Sequence, residues 1–416
     1  MNELWTSHTV RTVASHLLEI KIQNDSSQKQ LWLVDEASFL STKDMTKLFK
    51  QAVLHKARVV LVGDVKQLGS VDAGSAFRQL QEQGLVTFKL DKIVRQENQQ
   101  TLKAVYASIE AEAKEALNCL QQGGGKVIEI PGDEQHRTEK IVDLYLSLST
   151  DERENTLLID PSREGRDTLS NLIREGLKQR KVLNEQGFNF TKLEKLDLTK
   201  VSQQDVLNYS RGQVIKFLRN YKSKNVEKNS YWTVVNRDIN RNTLLLKDQS
   251  GRELIWNPAS AAWGSKMQGF RPVESELTVG DKIMWTLNDR KRGLLNGMKA
   301  KVVSIDHQSG ELSLVFTNGN VHTMSLTEQK NQHWTHDYVS TAHASQGMTA
   351  DRVIYHDESF RRNLASQKAF YVAISRAKHQ AIVYTDNQNE LIAQLQENAG
   401  EKQNAKDYEY DLSMSM

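Results

Sequence analysis

The stretch that decides the fold is LWLVDEAS, residues Leu31–Ser38. Four apolar residues lead directly into two adjacent carboxylates, Asp35 and Glu36. A short apolar run that ends in an acid predicts a buried strand of a parallel sheet. Ligands of open parallel sheets bind at the carboxyl ends of the strands, so the two acids are predicted to lie at a ligand site. Taken alone, the dipeptide fits a solvent-exposed acidic turn better.

Helix-like and strand-like segments alternate on both sides of this stretch. The segment ARVVLVGD is a second predicted buried strand that ends in an acid, Asp64. Further strands are predicted at LVTFKL, KVIEI and TLLIDP, with amphipathic helices between them. This alternation predicts an α/β fold with parallel sheets.

The pattern changes over residues 206–334, where short segments rich in Val, Leu, Trp and Thr are separated by turn residues. Such a pattern is typical of a small β-barrel. The α/β pattern then returns, so the β module is predicted to be inserted in a second α/β domain. The predicted domains are 1–122, then 123–205 together with 335–400, the β module 206–334, and a flexible tail 401–416.

Composition limits the class of protein. The chain has 416 residues, a formal net charge of +3 and a single cysteine, Cys119, which excludes an intramolecular disulfide and a thiolate-ligated metal site within the chain. No apolar run is long enough to span a membrane, and the N-terminus lacks a basic region followed by an apolar stretch. We therefore expect a cytoplasmic protein without membrane insertion. The mildly basic charge is compatible with nucleic acid but does not demonstrate it.

Two further polar clusters follow predicted strands. In VLVGDVKQLGSV, Gly63 permits a tight turn, Asp64 ends the strand, and Gln67 can reach a phosphate or a water molecule. In IVRQEN, the guanidinium of Arg95 can hold a phosphate through two hydrogen bonds. The alternatives are a glycine turn with solvated polar side chains and an ordinary surface arginine.

A small polar turn and an arginine lie near the C-terminus. The segment STAHASQGMTADRV contains Thr341, His343, Gln346 and Gly347, and small residues there let a backbone approach a phosphate chain closely. In YVAISRAK, Arg376 stands on the last turn of a predicted helix and can stabilise a phosphate in transfer. The alternative for Arg376 is a cation favoured by the helix dipole.

The β module offers candidates for nucleic-acid contact. Lys291 and Arg292 can bind phosphates, and Trp285 can offer a stacking face. The alternatives are a turn with solvated charges for the two cations and a place in the barrel core for Trp285. For Trp285, the core is the favoured interpretation.

In this order, the motifs resemble those of superfamily 1 DNA helicases of the RecD-like branch, closest to the helicase region of TraI/TrwC-type conjugative relaxase-helicases. LWLVDEAS resembles motif II (Walker B), VLVGDVKQLGSVDAGSAFRQL motif III, KIVRQEN motif IV, STAHASQGMTADRV motif V and YVAISRAK motif VI. The resemblance covers nearly the whole chain except the tail. It implies two RecA-like parallel-sheet domains, the first incomplete, with an SH3-like β-barrel inserted in the second.

The resemblance also implies cofactors, partners and roles. The cofactors are ATP and Mg²⁺, and the partners are single-stranded DNA, along which the family moves 5′ to 3′, and other conjugation or relaxosome proteins. The implied catalytic residues are Glu36, which activates water, with Gln67, Arg95 and Arg376. The implied nucleotide-binding residues are Asp35, which also holds the metal, Gly63, Asp64, Gln346 and Gly347. The implied DNA-binding residues are Thr341, His343, Trp285, Lys291 and Arg292.

One motif of the resembled family is missing from the sequence. No G-x-x-x-x-G-K-S/T phosphate loop occurs, and GGGK at 123–126 lacks the hydroxyl residue and leads into a strand rather than a helix. The resemblance therefore predicts that this loop lies upstream of Met1 and that the chain alone does not hydrolyse ATP. The alternative function is a non-catalytic fragment that binds single-stranded DNA or a partner protein. No segment resembles a relaxase domain, so DNA nicking is not assigned.

Overall fold

The computed structural model describes residues 10–19, 30–69, 74–260, 266–362 and 364–400. The chain divides into two compact units, one formed by residues 1–169 with 339–416 and the other by residues 170–338. The predicted flexible tail, 401–416, lies outside the described residues, as do residues 70–73 of motif III.

The helices and strands follow one another in mixed order. The helices are α1 Val13–Glu19, α2 Thr42–Leu54, α3 Ala76–Glu82, α4 Gln99–Ile109, α5 Ala113–Cys119, α6 Glu134–Ser147, α7 Thr150–Glu154, α8 Arg163–Gln179, α9 Gln367–Ile374 and α10 Gln388–Glu397. The strands are β1 Leu31–Val34, β2 Arg58–Leu61, β3 Gly125–Glu129, β4 Thr156–Ile159, β5 Phe188–Lys195, β6 Val214–Phe217, β7 Tyr231–Asp238, β8 Thr243–Lys247, β9 Glu253–Trp256, β10 Met267–Leu277, β11 Lys282–Trp285, β12 Lys299–Asp306, β13 Glu311–Phe316, β14 Val321–Ser325, β15 Trp334–His336, β16 Val339–Ser340, β17 Ala350–His356 and β18 Ala377–Thr385.

The first parallel pair consists of β1 and β2, in register from Leu31 opposite Arg58 to Val34 opposite Leu61. Helix α2 packs on one face, where Trp32 is buried with residues of the helix. On the other face Leu33 is 69% exposed. Parallel strands are usually covered on both faces, whereas this two-stranded sheet is covered on one face within the described residues.

The segment LVTFKL, predicted as a strand, is not one. Its backbone is irregular and Phe88 is 88% exposed. A strand needs a neighbour for its backbone hydrogen bonds, and within the described part of the chain no strand pairs with this segment. Its β-forming residues are therefore insufficient to make it a strand.

The second parallel sheet has the order β16-β4-β17-β18-β3, and all its pairings are parallel. This confirms the predicted α/β fold with parallel sheets. Helix α9 is buried along its whole length against this sheet. Helices α4 and α5, which were predicted to belong to the domain 1–122, contribute Ala104 and Leu117 to the same core. The second domain therefore draws on residues before 122.

The second unit contains two antiparallel sheets, of order β5-β10-β6-β7-β8-β9 and β14-β13-β12-β11-β15. Strand β5, inside the range 123–205 predicted for the α/β domain, pairs with β10 instead. The β module thus begins before residue 206. An SH3-like barrel is not confirmed, because β14 and β15 stand at the two ends of the strand order.

Aromatic side chains form the cores of the two antiparallel sheets. The six-stranded sheet buries Phe217, Trp232 and Trp256 together, and the five-stranded sheet buries Trp285 and Trp334. Within the described ranges, no helix combines the length and the apolar character that crossing a bilayer requires.

Candidate nucleotide site

The carboxyl ends of β1 and β2 bring the predicted acids together. The amide of Ala37 donates a hydrogen bond to the carbonyl of Val62 at 2.8 Å, which ties the turn after β1 to the end of β2. Within that turn, Glu36 adopts the left-handed conformation with φ 51°, and its amide donates to Oδ1 of Asp35 at 2.9 Å. Such a backbone conformation is uncommon for a residue with a side chain and is frequent at functional sites.

Gly63 allows a close approach of backbones at this edge. A Cβ atom there would lie 3.1 Å from the amide nitrogens of both Ala37 and Ser38. The φ of Gly63 is not positive, so a left-handed backbone is not what requires a glycine at this position. The requirement is that the turn after β1 can pack directly on residue 63.

A hydrogen-bond network connects three predicted motifs through Asp64. Its Oδ2 accepts from Nε2 of Gln67 at 3.1 Å and from the hydroxyl of Tyr371 at 2.8 Å. The side-chain amide of Gln346 in turn donates to Oε1 of Gln67 at 3.2 Å. Motifs III, V and VI therefore meet at one point. Tyr371 was not predicted as a site residue, since within YVAISRAK it is an ordinary aromatic residue by pattern.

The two predicted arginines lie at the same edge. Arg95 donates to the carbonyl of Ser375 at 3.0 Å, and Gln96 donates to the carbonyls of Ser375 and Ala377, each at 2.9 Å. The guanidinium of Arg376 is 1% exposed and donates to the carbonyl of Val372 and to Oγ of Ser375. Gln96 was not predicted either, although it stands directly after Arg95 in the predicted motif.

The charged groups at this edge shift one another's pKa. Burial, followed by the neighbouring Asp35, raises the pKa of Glu36, and Asp64 acts in the same direction. The positive charges of Arg376 and Arg95 oppose that rise. Burial, followed by repulsion from Arg95, lowers the pKa of Arg376 to about 10. Two guanidiniums that repel each other beside a cluster of carboxylates form a suitable environment for a polyanion with a bound cation.

The residues present fit ATP with Mg²⁺. Asp35 is exposed, and Mg²⁺ typically takes one or two carboxylates and completes its coordination with water and phosphate oxygens. Among the described residues no cluster of three or more acidic, histidine or cysteine side chains is arranged to hold a metal by itself. Two buried polar atoms beside the site, Oγ of Ser38 and Oε1 of Gln346, lack a hydrogen-bond partner in the structure.

The turn after β16 contains the remaining residues of motif V. Oγ1 of Thr341 accepts from the amide of Ala344 at 3.2 Å, and Gly347 has a positive φ of 76°. His343 is exposed, with its ring 6.4 Å from that of Phe39. Gln346 contacts Gln67, and nucleotide binding by Gln346 and DNA contact by Thr341 and His343 stay predictions.

The predicted DNA contacts of the β module need correction. Trp285 is 2% exposed in the core of the five-stranded sheet, so its ring cannot stack on a base. Arg292 is tied to Oδ2 of Asp289 at 2.7 Å and to the carbonyl of Lys330 at 2.9 Å, and its guanidinium covers the Trp285 ring. Arg292 therefore supports the turn, and of these three residues only Lys291 is exposed for a ligand.

Two segments of the chain match known protein families. Residues 3–130 match the AAA domain family, and residues 336–384 match the C-terminal domain of UvrD-like helicases. Both matches support the resemblance of the ordered motifs to superfamily 1 helicases.

Within that class the chain is related to conjugation proteins. It is 23% identical over 422 residues to the multifunctional conjugation protein TraI of Escherichia coli K12, across 91% of this chain and 23% of TraI. It is 24% identical over 411 residues to the conjugal transfer protein TraA of Rhizobium radiobacter, across 96% of this chain and 29% of TraA. The chain thus spans about a quarter of the length of these relatives.

Among solved structures, the Pif1 helicase from Candida albicans is similar with a TM-score of 0.46 and 15% identity, over 97% of this chain and 81% of that chain.

Proposed function

We propose that this chain is the motor region of a conjugative DNA helicase, which couples ATP hydrolysis to movement along single-stranded DNA. The observation that carries the proposal is the convergence of Glu36, Asp64, Arg95 and Arg376 in one electrostatic environment. The sequence similarity to TraI and TraA supports a role in conjugal transfer. The 5′ to 3′ direction comes from the family resemblance.

Each side chain has a distinct part in the proposed hydrolysis. Asp35 would hold Mg²⁺, which neutralises charge on the phosphate oxygens when bound. Glu36 orients the attacking water and accepts its proton, a role that its raised pKa favours. Arg95 and Arg376 stabilise the negative charge that develops on the transferring phosphoryl group.

The contact between Gln67 and Gln346 gives a route for coupling. Gln67 is held by Asp64 and also accepts from Gln346. Gln346 belongs to the same turn as Thr341 and His343, the predicted DNA contacts. A change in the phosphate beside Gln67 would therefore alter a hydrogen bond to the turn that contacts DNA.

A second candidate function is supported by the sequence itself. The 416 residues contain no G-x-x-x-x-G-K-S/T, so they supply the hydrolytic carboxylates and arginines without a phosphate-cradling loop. We propose on this basis that the chain alone does not turn over ATP. By itself, it would bind single-stranded DNA or a partner protein without hydrolysing ATP.

The test is ATP turnover by the chain, with and without single-stranded DNA, beside a Glu36→Gln variant. DNA-stimulated turnover that disappears in the variant would establish a motor and contradict the proposed incompetence of the chain alone. Salt-sensitive DNA binding without turnover would support the second candidate. Turnover that persists in Glu36→Gln would overturn the assignment of the base.

A further inference from the structure

The two compact units differ strongly in charge. Residues 170–338 contain 26 Lys and Arg against 17 Asp and Glu, a formal net charge of +9. The whole chain carries +3, so the remaining residues together carry −6. A charge asymmetry of this kind indicates that the β unit contributes to binding a polyanion.

One group of cations in the β unit lies on a single connection between neighbouring strands. The loop Leu218–Ser230 joins β6 to β7 and contains Arg219, Lys222, Lys224 and Lys228. Its single carboxylate is Glu227, so the loop carries +3 over 13 residues. All four cationic side chains are exposed. We call this segment the basic loop.

Two apolar side chains fix the basic loop on the sheet. Tyr221 is 6% exposed and Val226 is 2% exposed, and the amide of Tyr221 donates to the carbonyl of Val226 at 2.8 Å. The Tyr221 ring packs against Trp256 with 4.8 Å between ring centroids. These anchors turn the polar residues between them outward, and Asn225 closes the turn in the left-handed conformation.

Hydrogen bonds also hold the end of the loop. Oδ1 of Asn220 accepts from the amide of Lys228 at 2.7 Å, so the two ends of the loop are joined. The amide of Leu218 donates to the carbonyl of Lys266 at 2.8 Å, which places a further exposed lysine beside the loop. A surface that is already ordered loses little conformational entropy when it binds a charged ligand.

We propose that the basic loop, with Lys266, binds the phosphate backbone of single-stranded DNA, a deepening that rests on the proposed function. Lysine ammonium groups act as point charges toward phosphates. The loop's one aromatic ring, Tyr221, is buried as an anchor, so the contact is to the backbone and is independent of base sequence. Neither the helicase motifs nor the turn with Lys291 includes these residues.

The experiment measures binding of labelled oligo(dT) to the full chain without nucleotide, over a series of salt concentrations. The test variant is Lys222→Gln/Lys224→Gln/Lys228→Gln. The control removes three exposed cations from other connections of the same sheet, between β5 and β6 and between β7 and β8, Lys200→Gln/Arg211→Gln/Arg241→Gln, and so has the same net charge. For single strands, each phosphate that is no longer neutralised lowers the salt slope by about 0.7, so the slope of the test variant is expected to fall by about 2 and its affinity roughly tenfold or more.

The control variant is expected to keep a slope within about 0.7 of the wild-type value, the size of one phosphate contact. Equal decreases in the salt slope of the two triple variants would show that net charge alone causes the effect, and would overturn the proposal. An unchanged slope in the test variant would also overturn it. If the triple test variant does not fold by circular dichroism, the single Lys222→Gln and Lys228→Gln variants replace it, each with an expected decrease in slope of about 0.7. Because ATP turnover is measured separately, weaker binding by the test variant supports the inference even if the motor proposal fails.

Discussion

At the scale of the residue, Glu36 combines an unusual backbone conformation with an unusual environment. Its φ is left-handed, and burial beside two other carboxylates raises its pKa. A glutamine has the same shape but cannot accept the proton of the attacking water.

We predict that Glu36→Gln, in a version of the chain joined to a Walker A segment, loses hydrolysis by about 10²-fold or more and keeps nucleotide binding. Binding is measured with a fluorescent ATP analogue and turnover by phosphate release. The variant removes one negative charge near the phosphates, so nucleotide affinity is expected to stay equal or to rise. A loss of nucleotide binding equal to the loss of turnover would mean that Glu36 holds the ligand rather than the water.

Gly63 allows a test of the strand edge without touching a charged group. A methyl group at this position would press on the amide nitrogens of Ala37 and Ser38, which belong to backbone and cannot move aside freely. We predict that Gly63→Ala lowers the free energy of unfolding by about 1–3 kcal/mol, measured by urea denaturation.

The matched control for that prediction is Gly69→Ala. A Cβ there would have its nearest neighbour at 3.8 Å, an ordinary contact. Its expected change is within about 0.5 kcal/mol. If both variants lost the same stability, the close approach at Gly63 would not be the cause.

At the scale of the element, the turn between β11 and β12 carries side chains of two kinds. Some support the core of the sheet, and one is exposed to solvent. Trp285 fills the core of the five-stranded sheet, Arg292 covers it, and Lys291 projects into solvent. We predict that Trp285→Ala costs about 3–5 kcal/mol of unfolding free energy by loss of core packing. Lys291→Gln is expected to leave stability within about 0.5 kcal/mol and to lower the salt slope of DNA binding by about 0.7.

Binding and stability are measured on the same preparations of both variants. A stable Trp285→Ala protein with weakened DNA binding would restore the stacking role that its residue type first suggested. A Lys291→Gln protein with the wild-type salt slope would leave Lys291 as a solvated charge of the turn.

The elements also show which parts of the molecule were predictable from sequence. Strands β1 and β2 were predicted because each is an apolar run that ends in an acid, and that pattern already indicates which edge binds a ligand. The strand predicted at LVTFKL is absent for a different reason. Residue preference cannot supply a pairing partner, and pairing depends on residues elsewhere in the chain.

The candidate site was predicted by motif, but its connections were not. Asp64 and Tyr371 are bonded across 307 positions, and no local pattern indicates that an aromatic residue of one helix will donate to that carboxylate. The residue types of Trp285 and Arg292 suit both contact with DNA and a supporting role in the core of the sheet. Only burial, which is a property of the folded sheet, decides between the two.

At the scale of the whole molecule, a buried charge cluster links elements that are distant in sequence. His356, at the end of β17, shares a hydrogen bond between Nδ1 and Oδ2 of Asp160 at 2.8 Å, and its Nε2 lies 3.3 Å from Oε1 of Glu358. Arg137 and Arg361 pair with the same Glu358 at 2.6 and 2.7 Å. The cluster thus connects α6, β4 and β17 with the segment before α9, and no motif in the sequence indicates it.

The charge of His356 contributes to global stability in a defined pH window. Burial alone would lower its pKa, but the hydrogen bond to Asp160 and the nearby carboxylate of Glu358 outweigh burial and raise the pKa to about 9. A histidine with a raised pKa stabilises the fold fully below its unfolded pKa of about 6.5, and this contribution is lost as pH rises through the folded value. Burial raises the pKa of Asp357 to about 7. The change in the free energy of unfolding that its titration causes is therefore largely complete by pH 7.

We predict that the free energy of unfolding of the wild-type chain falls by roughly 1–3 kcal/mol between about pH 7 and pH 9, measured by urea denaturation. The reason is that unfolding releases the proton of His356 in this range while the native state retains it. His356→Gln keeps a polar group against Asp160 but cannot titrate, so its stability is expected to be lower at pH 7 and nearly flat over the same range. The exposed His307, changed to Gln, serves as the control and should reproduce the wild-type slope. If the wild-type and His356→Gln proteins lost stability in parallel with rising pH, the titrating group would lie elsewhere, and the cluster would act through its arginine pairs with Glu358 alone.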